Sequence, residues 1–145
     1  MKKIQIGCLA IALLAIFTGC YKGATDKEIL IESVWIVESI KVHADSVLMK
    51  PSYDYWTNLT LSFLKNDPYI FIFNLEVGSI RGKVKVGNKK IDFVEIEEIP
   101  TGNSQFSQSC IDLLDNINRY ETNGFVLTLI GKKGEEIKLM RKIDF

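Results

Sequence analysis

The stretch Ser33-Val34-Trp35-Ile36-Val37-Glu38-Ser39-Ile40-Lys41-Val42 decides how the rest of the chain is read. Val34, Ile36, Glu38, Ile40 and Val42 alternate with Trp35, Val37, Ser39 and Lys41, and period-two alternation rich in β-branched residues marks a strand. Apolar residues fall on both faces, so a central strand is expected. Trp35 is large enough to anchor a core, and its indole N–H must then find an acceptor.

Working toward the C-terminus, the pattern repeats. Leu59 to Leu64 alternates, Lys65-Asn66-Asp67-Pro68 carries turn chemistry, and Tyr69 to Phe73 resumes, which predicts a hairpin. Ile80, Val84 and Val86 fall on one face of the next strand and Arg81, Lys83 and Lys85 on the other. Gly87-Asn88 turns the chain into Lys90 to Ile96. The basic ladder is expected to be a solvated strand face that pairs with Glu95, Glu97 and Glu98. Ser104 can cap a helix, and Phe106, Cys110, Leu113, Leu114 and Ile117 keep helical spacing, so a helix is predicted from Phe106 to Arg119. Asn123-Gly124 signals a hairpin between two residues that accept positive φ, and Glu135 to Lys142 is the last strand. The expected fold class is α+β: a mainly antiparallel, strongly curved or barrel-like sheet with one packed helix.

Working toward the N-terminus, Met1-Lys2-Lys3 is followed by an apolar run from Ile4 to Phe17. The run is short for a transmembrane span, which needs roughly 20 apolar residues, and it suits the core of a secretory signal. It closes on Phe17-Thr18-Gly19-Cys20, which resembles the lipobox of bacterial lipoproteins, with Phe17 where Leu is commonest. That resemblance implies a diacylglycerol group on the Cys20 sulfur and cleavage before it. Residues 1–19 are then a lipoprotein signal peptide, 20–32 a lipidated tether, and 33–145 one domain. Asp26 to Ile31 could form a helical turn or run extended.

The chain balances 18 basic against 18 acidic residues. Loss of Lys2 and Lys3 leaves 16 against 18, near −2, so no basic field is available to attract nucleic acid. Of three cysteines, Cys8 lies in the leader and Cys20 takes lipid, which leaves Cys110 alone on an apolar stripe as a buried, inert thiol. One remaining cysteine and one histidine, His43, do not make a zinc cluster, and His43 with Asp45 and Asp54 matches no ligand spacing. No cofactor motif, phosphate loop or Ser/His/Asp order is present. A Cys110–His43 nucleophile pair is set aside because Cys110 sits among apolar residues. The irregular stretch His43 to Asn58 contains Tyr53-Asp54-Tyr55-Trp56. Tyr53, Tyr55 and Trp56 either cover an open barrel end or form a recognition surface, since such rings give large contact area at low entropic cost.

The order of elements resembles the META domain, the fold of the heat-shock HslJ-like lipoprotein family. The resemblance rests on Trp35-Ile36-Val37-Glu38-Ser39-Ile40, then Asn74, Gly78 and Gly82 through Phe93. It continues with Thr101, the following helix, Tyr120, Asn123-Gly124, Leu127-Thr128-Leu129, Gly134 and Ile137-Lys138-Leu139. It spans about Val34 to Lys142, although the family's Gly-Cys-Asn and Thr-x-Met-Ala-Cys motifs are absent. It implies a small β-rich domain, secreted or anchored in the bacterial cell envelope, with no catalytic machinery to transfer. The expected function is therefore non-enzymatic: partner binding or envelope stress support by a lipoprotein held to the membrane through Cys20. The alternative is a lipocalin-like barrel that binds a small apolar ligand.

Overall fold

The computed structural model describes residues 24–51, 59–75, 78–97 and 105–143. Helix α1 (Asp26–Glu32) leads into strand β1 (Trp35–Lys41), and β2 (Thr60–Leu64), β3 (Tyr69–Asn74), β4 (Ser79–Val86) and β5 (Ile91–Glu97) follow. Helix α2 (Gln105–Leu114) precedes β6 (Ile117–Thr122), β7 (Val126–Gly131) and β8 (Glu136–Arg141). Every strand pairing is antiparallel, and the eight strands form one sheet in the order β5-β4-β3-β2-β1-β8-β7-β6. β1 has neighbours on both sides, as its two apolar faces predict. The ends of the sheet approach each other through an antiparallel bridge between Lys90 and Arg119, so the sheet curls into a nearly closed barrel.

Among the described residues the barrel interior holds one continuous hydrophobic core. Trp35, Phe71, Phe73 and Tyr120 are all under 2 % exposed, and Phe71 meets Phe93 edge-on at a ring separation of 4.9 Å. Edge-to-face contact matches the electropositive rim of one ring to the electron-rich face of the other. Three bulges bring the right side chains inward, because one extra residue reverses the in–out phase of a strand. In β1 the register shifts between Val37 and Ser39, so Trp35, Val37 and Ile40 are all fully buried although strict alternation would separate them. The second half of β1 is bridged to Met49, whose backbone exchanges two 2.9 Å hydrogen bonds with Ile40. In the β4–β5 ladder Lys83 pairs with Glu95 and Val84 with Phe93, which leaves Val94 as the extra residue. Gly82 lies beside this bulge because a side chain there has no room: a Cβ would stand 1.6 Å from the Glu95 carbonyl oxygen.

Two expectations are sharpened or corrected. First, residues 26–32 form a helix, one of the two conformations left open for Asp26 to Ile31, so among the described residues the barrel carries a second helix besides the one expected. Thr25 and Glu28 form a reciprocal cap, with Thr25 Oγ1 accepting from the Glu28 N–H and Glu28 Oε2 accepting from the Thr25 N–H. A seven-residue helix is marginal alone; burial of Leu30 and Ile31 in the core holds this one. Trp35 Nε1 donates to the Leu30 carbonyl at 3.1 Å, which satisfies both the indole and a last-turn carbonyl that has no partner within the helix. Lys65 to Glu32 at 2.6 Å and Lys27 over the Tyr69 ring at 5.2 Å tie the outer side of α1 to the β2–β3 hairpin.

Second, the predicted helix over 106–119 stops at Leu114, and Ile117 begins a strand. Ile117 and Tyr120 mimic helical spacing because a bulge between Ile117 and Arg119 puts an extra residue between two inward positions. The Asn116 N–H bonds the Leu113 carbonyl and the Lys132 N–H bonds the Asn116 carbonyl, which turns the chain out of α2 and into the sheet. The Asn123-Gly124 hairpin forms, but only Gly124 has positive φ (+96°). Asn123 acts instead through its side chain, whose Oδ1 accepts from the N–H groups of Phe125 and Val126.

Replacing Trp35 by Phe strands the Leu30 carbonyl and leaves a void, so the chemical-denaturation midpoint should fall by the equivalent of about 2 to 4 kcal/mol. Gly82→Ala should destabilise by about 3 kcal/mol through overpacking against the β5 backbone. The same measurement should show Gly87→Ala as the milder change, because the nearest atom to a Cβ there is 3.8 Å away.

Candidate functional site

The seam between β5 and β6 is where the barrel is least regular. The strands are offset, so that the Lys90–Arg119 bridge joins the start of β5 to the start of β6. Tyr120 closes the joint. Its backbone N–H donates to the Lys89 carbonyl at 3.1 Å, and its phenol donates to the Gly87 carbonyl at 2.9 Å. The turn that receives these bonds is tight: the Gly87 N–H bonds the Lys90 carbonyl at 2.8 Å, and Lys89 adopts φ +60°. That left-handed conformation is unfavourable for a residue with a Cβ. Sequence chemistry points to Gly87-Asn88 as the special positions, yet Lys89 takes the strained one. Burial pushes the Tyr120 phenol above its ordinary pKa, the Lys89 backbone N–H partly opposes this, and the Asp26 carboxylate adds to the rise.

Beside this joint lies an open cleft of about 600 Å³. Its floor includes Val86, Ile91 and Ile117. Four exposed cations stand around it, each from a different part of the chain: Lys85 at the end of β4, Lys90 in the following turn, Arg119 on β6 and Lys132 in the β7–β8 turn. Asp92 and Asp115 complete the charged rim. The outward face of the β4–β5 ladder explains why these charges are available. Its cross-strand rungs are Arg81–Glu97, Lys83–Glu95 and Lys85–Asp92. The first two close into ion pairs of 3.4 and 3.2 Å, as the basic ladder predicts. Among the described residues the third rung forms no ion pair, and it opens onto the cleft; Asp is one methylene shorter than the Glu of the other rungs. The convergence of Arg119 and Lys132 with this rung has no signature in a linear reading, because the sheet must curl before they meet.

Cys20, Tyr53, Tyr55 and Trp56 lie outside the described residues. Cys110 is fully buried on α2, whereas His43 is exposed in a turn closed by Ser46, whose Oγ accepts from the His43 N–H and donates to the His43 carbonyl. No group of three or more His, Cys, Asp or Glu among the described residues is arranged to hold a metal ion. No helix among them is long and apolar enough to cross a membrane.

No protein-family model matches the chain, and no curated protein matches it. Solved structures do share its fold. A DUF4847 family protein from Bacteroides vulgatus ATCC 8482 superposes with a TM-score of 0.63 at 16 % identity, covering 82 % of this chain and 99 % of its own. A protein from Burkholderia xenovorans gives 0.65 at 16 % identity, covering 81 % and 87 %. At this identity the likeness is one of fold.

Tyr120→Phe should cost about 1 to 2 kcal/mol at neutral pH by leaving the Gly87 carbonyl without its donor. The raised phenol pKa sets the sign of the pH dependence. Its stabilising contribution is complete below about pH 10, the unfolded value, and is lost as pH rises through the folded value. The gap in thermal midpoint between wild type and Tyr120→Phe should therefore narrow from about pH 8 to about pH 11.

Proposed function

We propose that this protein is a lipid-anchored lipoprotein of the bacterial cell envelope, and that it works by non-enzymatic binding. The observation that carries the reading is the spacing between the lipobox-like Cys20 and the first capped residue of the fold. Thr25, the N-cap of α1, follows Cys20 by five positions, a reach of at most about 18 Å even when fully extended. A lipid on Cys20 would hold α1 close to the bilayer. The structured domain thus begins almost at the anchor, which suits a body docked at a membrane surface. The resemblance to META-type envelope proteins supports the same placement.

Partner or ligand binding is favoured over catalysis because the exposed charges converge at a surface cleft, while the one thiol among the described residues is sealed in the core. A small apolar ligand inside the barrel is the second reading, invited by the barrel architecture. It would require Trp35, Phe71, Phe73 and Tyr120 to give up their packing, so an external ligand is the better fit.

The test is metabolic labelling with palmitate, followed by membrane fractionation of wild type and Cys20→Ser. Label should enter the wild-type chain and not the variant, and the variant should leave the membrane fraction. Unlabelled wild type, or a variant that fractionates as wild type does, would overturn the placement.

A further inference from the structure

We propose that the seam cleft binds an acidic saccharide, a hydroxylated ring bearing carboxylate or phosphate groups. Four cations face two carboxylates around the cleft, a local excess of +2 in a chain whose total charge is balanced. That excess selects an anion. Four cations on the rest of the described surface are held in ion pairs: Lys65 with Glu32, Arg81 with Glu97, Lys83 with Glu95 and Lys138 with Glu38. Among the described residues, Lys85, Lys90, Arg119 and Lys132 form no such pair, although Asp92 and Asp115 line the same cleft. They are therefore free to meet an incoming anion without first giving up an ion pair.

The remaining lining narrows the class. Asp92, Asp115 and the Asn118 carboxamide are acceptors for hydroxyl donors, a pairing that a simple inorganic anion cannot use. Val86, Ile91 and Ile117 supply an apolar floor for the C–H face of a sugar ring. The volume, about 600 Å³, falls within the range of small-ligand sites and accommodates a short saccharide rather than a lone ion. Arg119 offers a planar fork for a carboxylate or phosphate, and the lysines act as adjustable point charges around it. Single-stranded nucleic acid is less suited, because the cleft lining contains no aromatic side chain on which bases could stack.

The experiment is calorimetric titration of the full chain in detergent micelles. The probes are hexagalacturonate, glucose 6-phosphate, inorganic phosphate, neutral cellohexaose and poly(U). Either hexagalacturonate or glucose 6-phosphate should bind, and whichever binds more tightly identifies the anionic group. Cellohexaose should not bind, and inorganic phosphate and poly(U) should bind more weakly than the better acidic sugar. The double variant Lys85→Gln/Lys132→Gln should weaken that sugar by about tenfold or more. Lys83→Gln, on a closed rung of the same ladder, should stay within about twofold. If the double variant does not fold, Arg119→Gln is read in its place and should show a loss of about tenfold. No binding of either acidic sugar at about 1 mM would overturn the proposal. So would equal binding of cellohexaose, tighter binding of poly(U), or wild-type affinity in the cleft variants. Acylation plays no part in this readout, so loss of sugar binding and failure of palmitate labelling are separate results.

Discussion

The barrel depends on the joint that Tyr120 makes with the β4–β5 turn. Seven of the eight strand-to-strand contacts around the barrel are antiparallel ladders of backbone hydrogen bonds, three of them interrupted by a bulge. The eighth is a single bridge, reinforced by the Tyr120 backbone and phenol. An open edge would leave a row of unpaired N–H and C=O groups. A buried phenol whose ring fills the interior, and whose hydroxyl reaches across the gap, joins core packing to closure in one residue. The strained Lys89 backbone is held in place by the same contact.

The helices and bulges complete the core. α1 packs mainly against β2 and α2 against β8. α1 and α2 bury Leu30 and Ile31, and Phe106, Cys110, Ile111, Leu113 and Leu114, respectively. Each bulge corrects the in–out phase where a straight strand would expose an apolar side chain. The cost is a distorted ladder, and the return is one continuous core in place of two apolar faces, one of them wet.

Charge is distributed by the same geometry. On the outer face of β4 and β5 the cross-strand rungs place opposite charges side by side, and solvated pairs of this kind contribute little to stability. Toward the seam the last rung stays open, and Arg119 and Lys132 arrive from strands far away in sequence. The cleft toward which they converge combines exposed, unpaired charges with an apolar floor.

Local patterning alone determined the strands, their hairpins and the antiparallel, barrel-like character of the sheet, because alternation and turn chemistry act over a few residues. Trp35 was legible as a core anchor, and the β4–β5 ladder as a paired, solvated face. The end of α2 was not, because a bulged strand sets Ile117 and Tyr120 three apart, a spacing that a helix shares. Nor was the role of Leu30 and Ile31, whose helix is too short to persist without a barrel to cover. The Tyr120 joint and the cleft beside it were decided only in three dimensions: Gly87, Lys90, Arg119 and Lys132 become neighbours when the first five strands curl round to meet the last three, and no short-range pattern encodes that meeting.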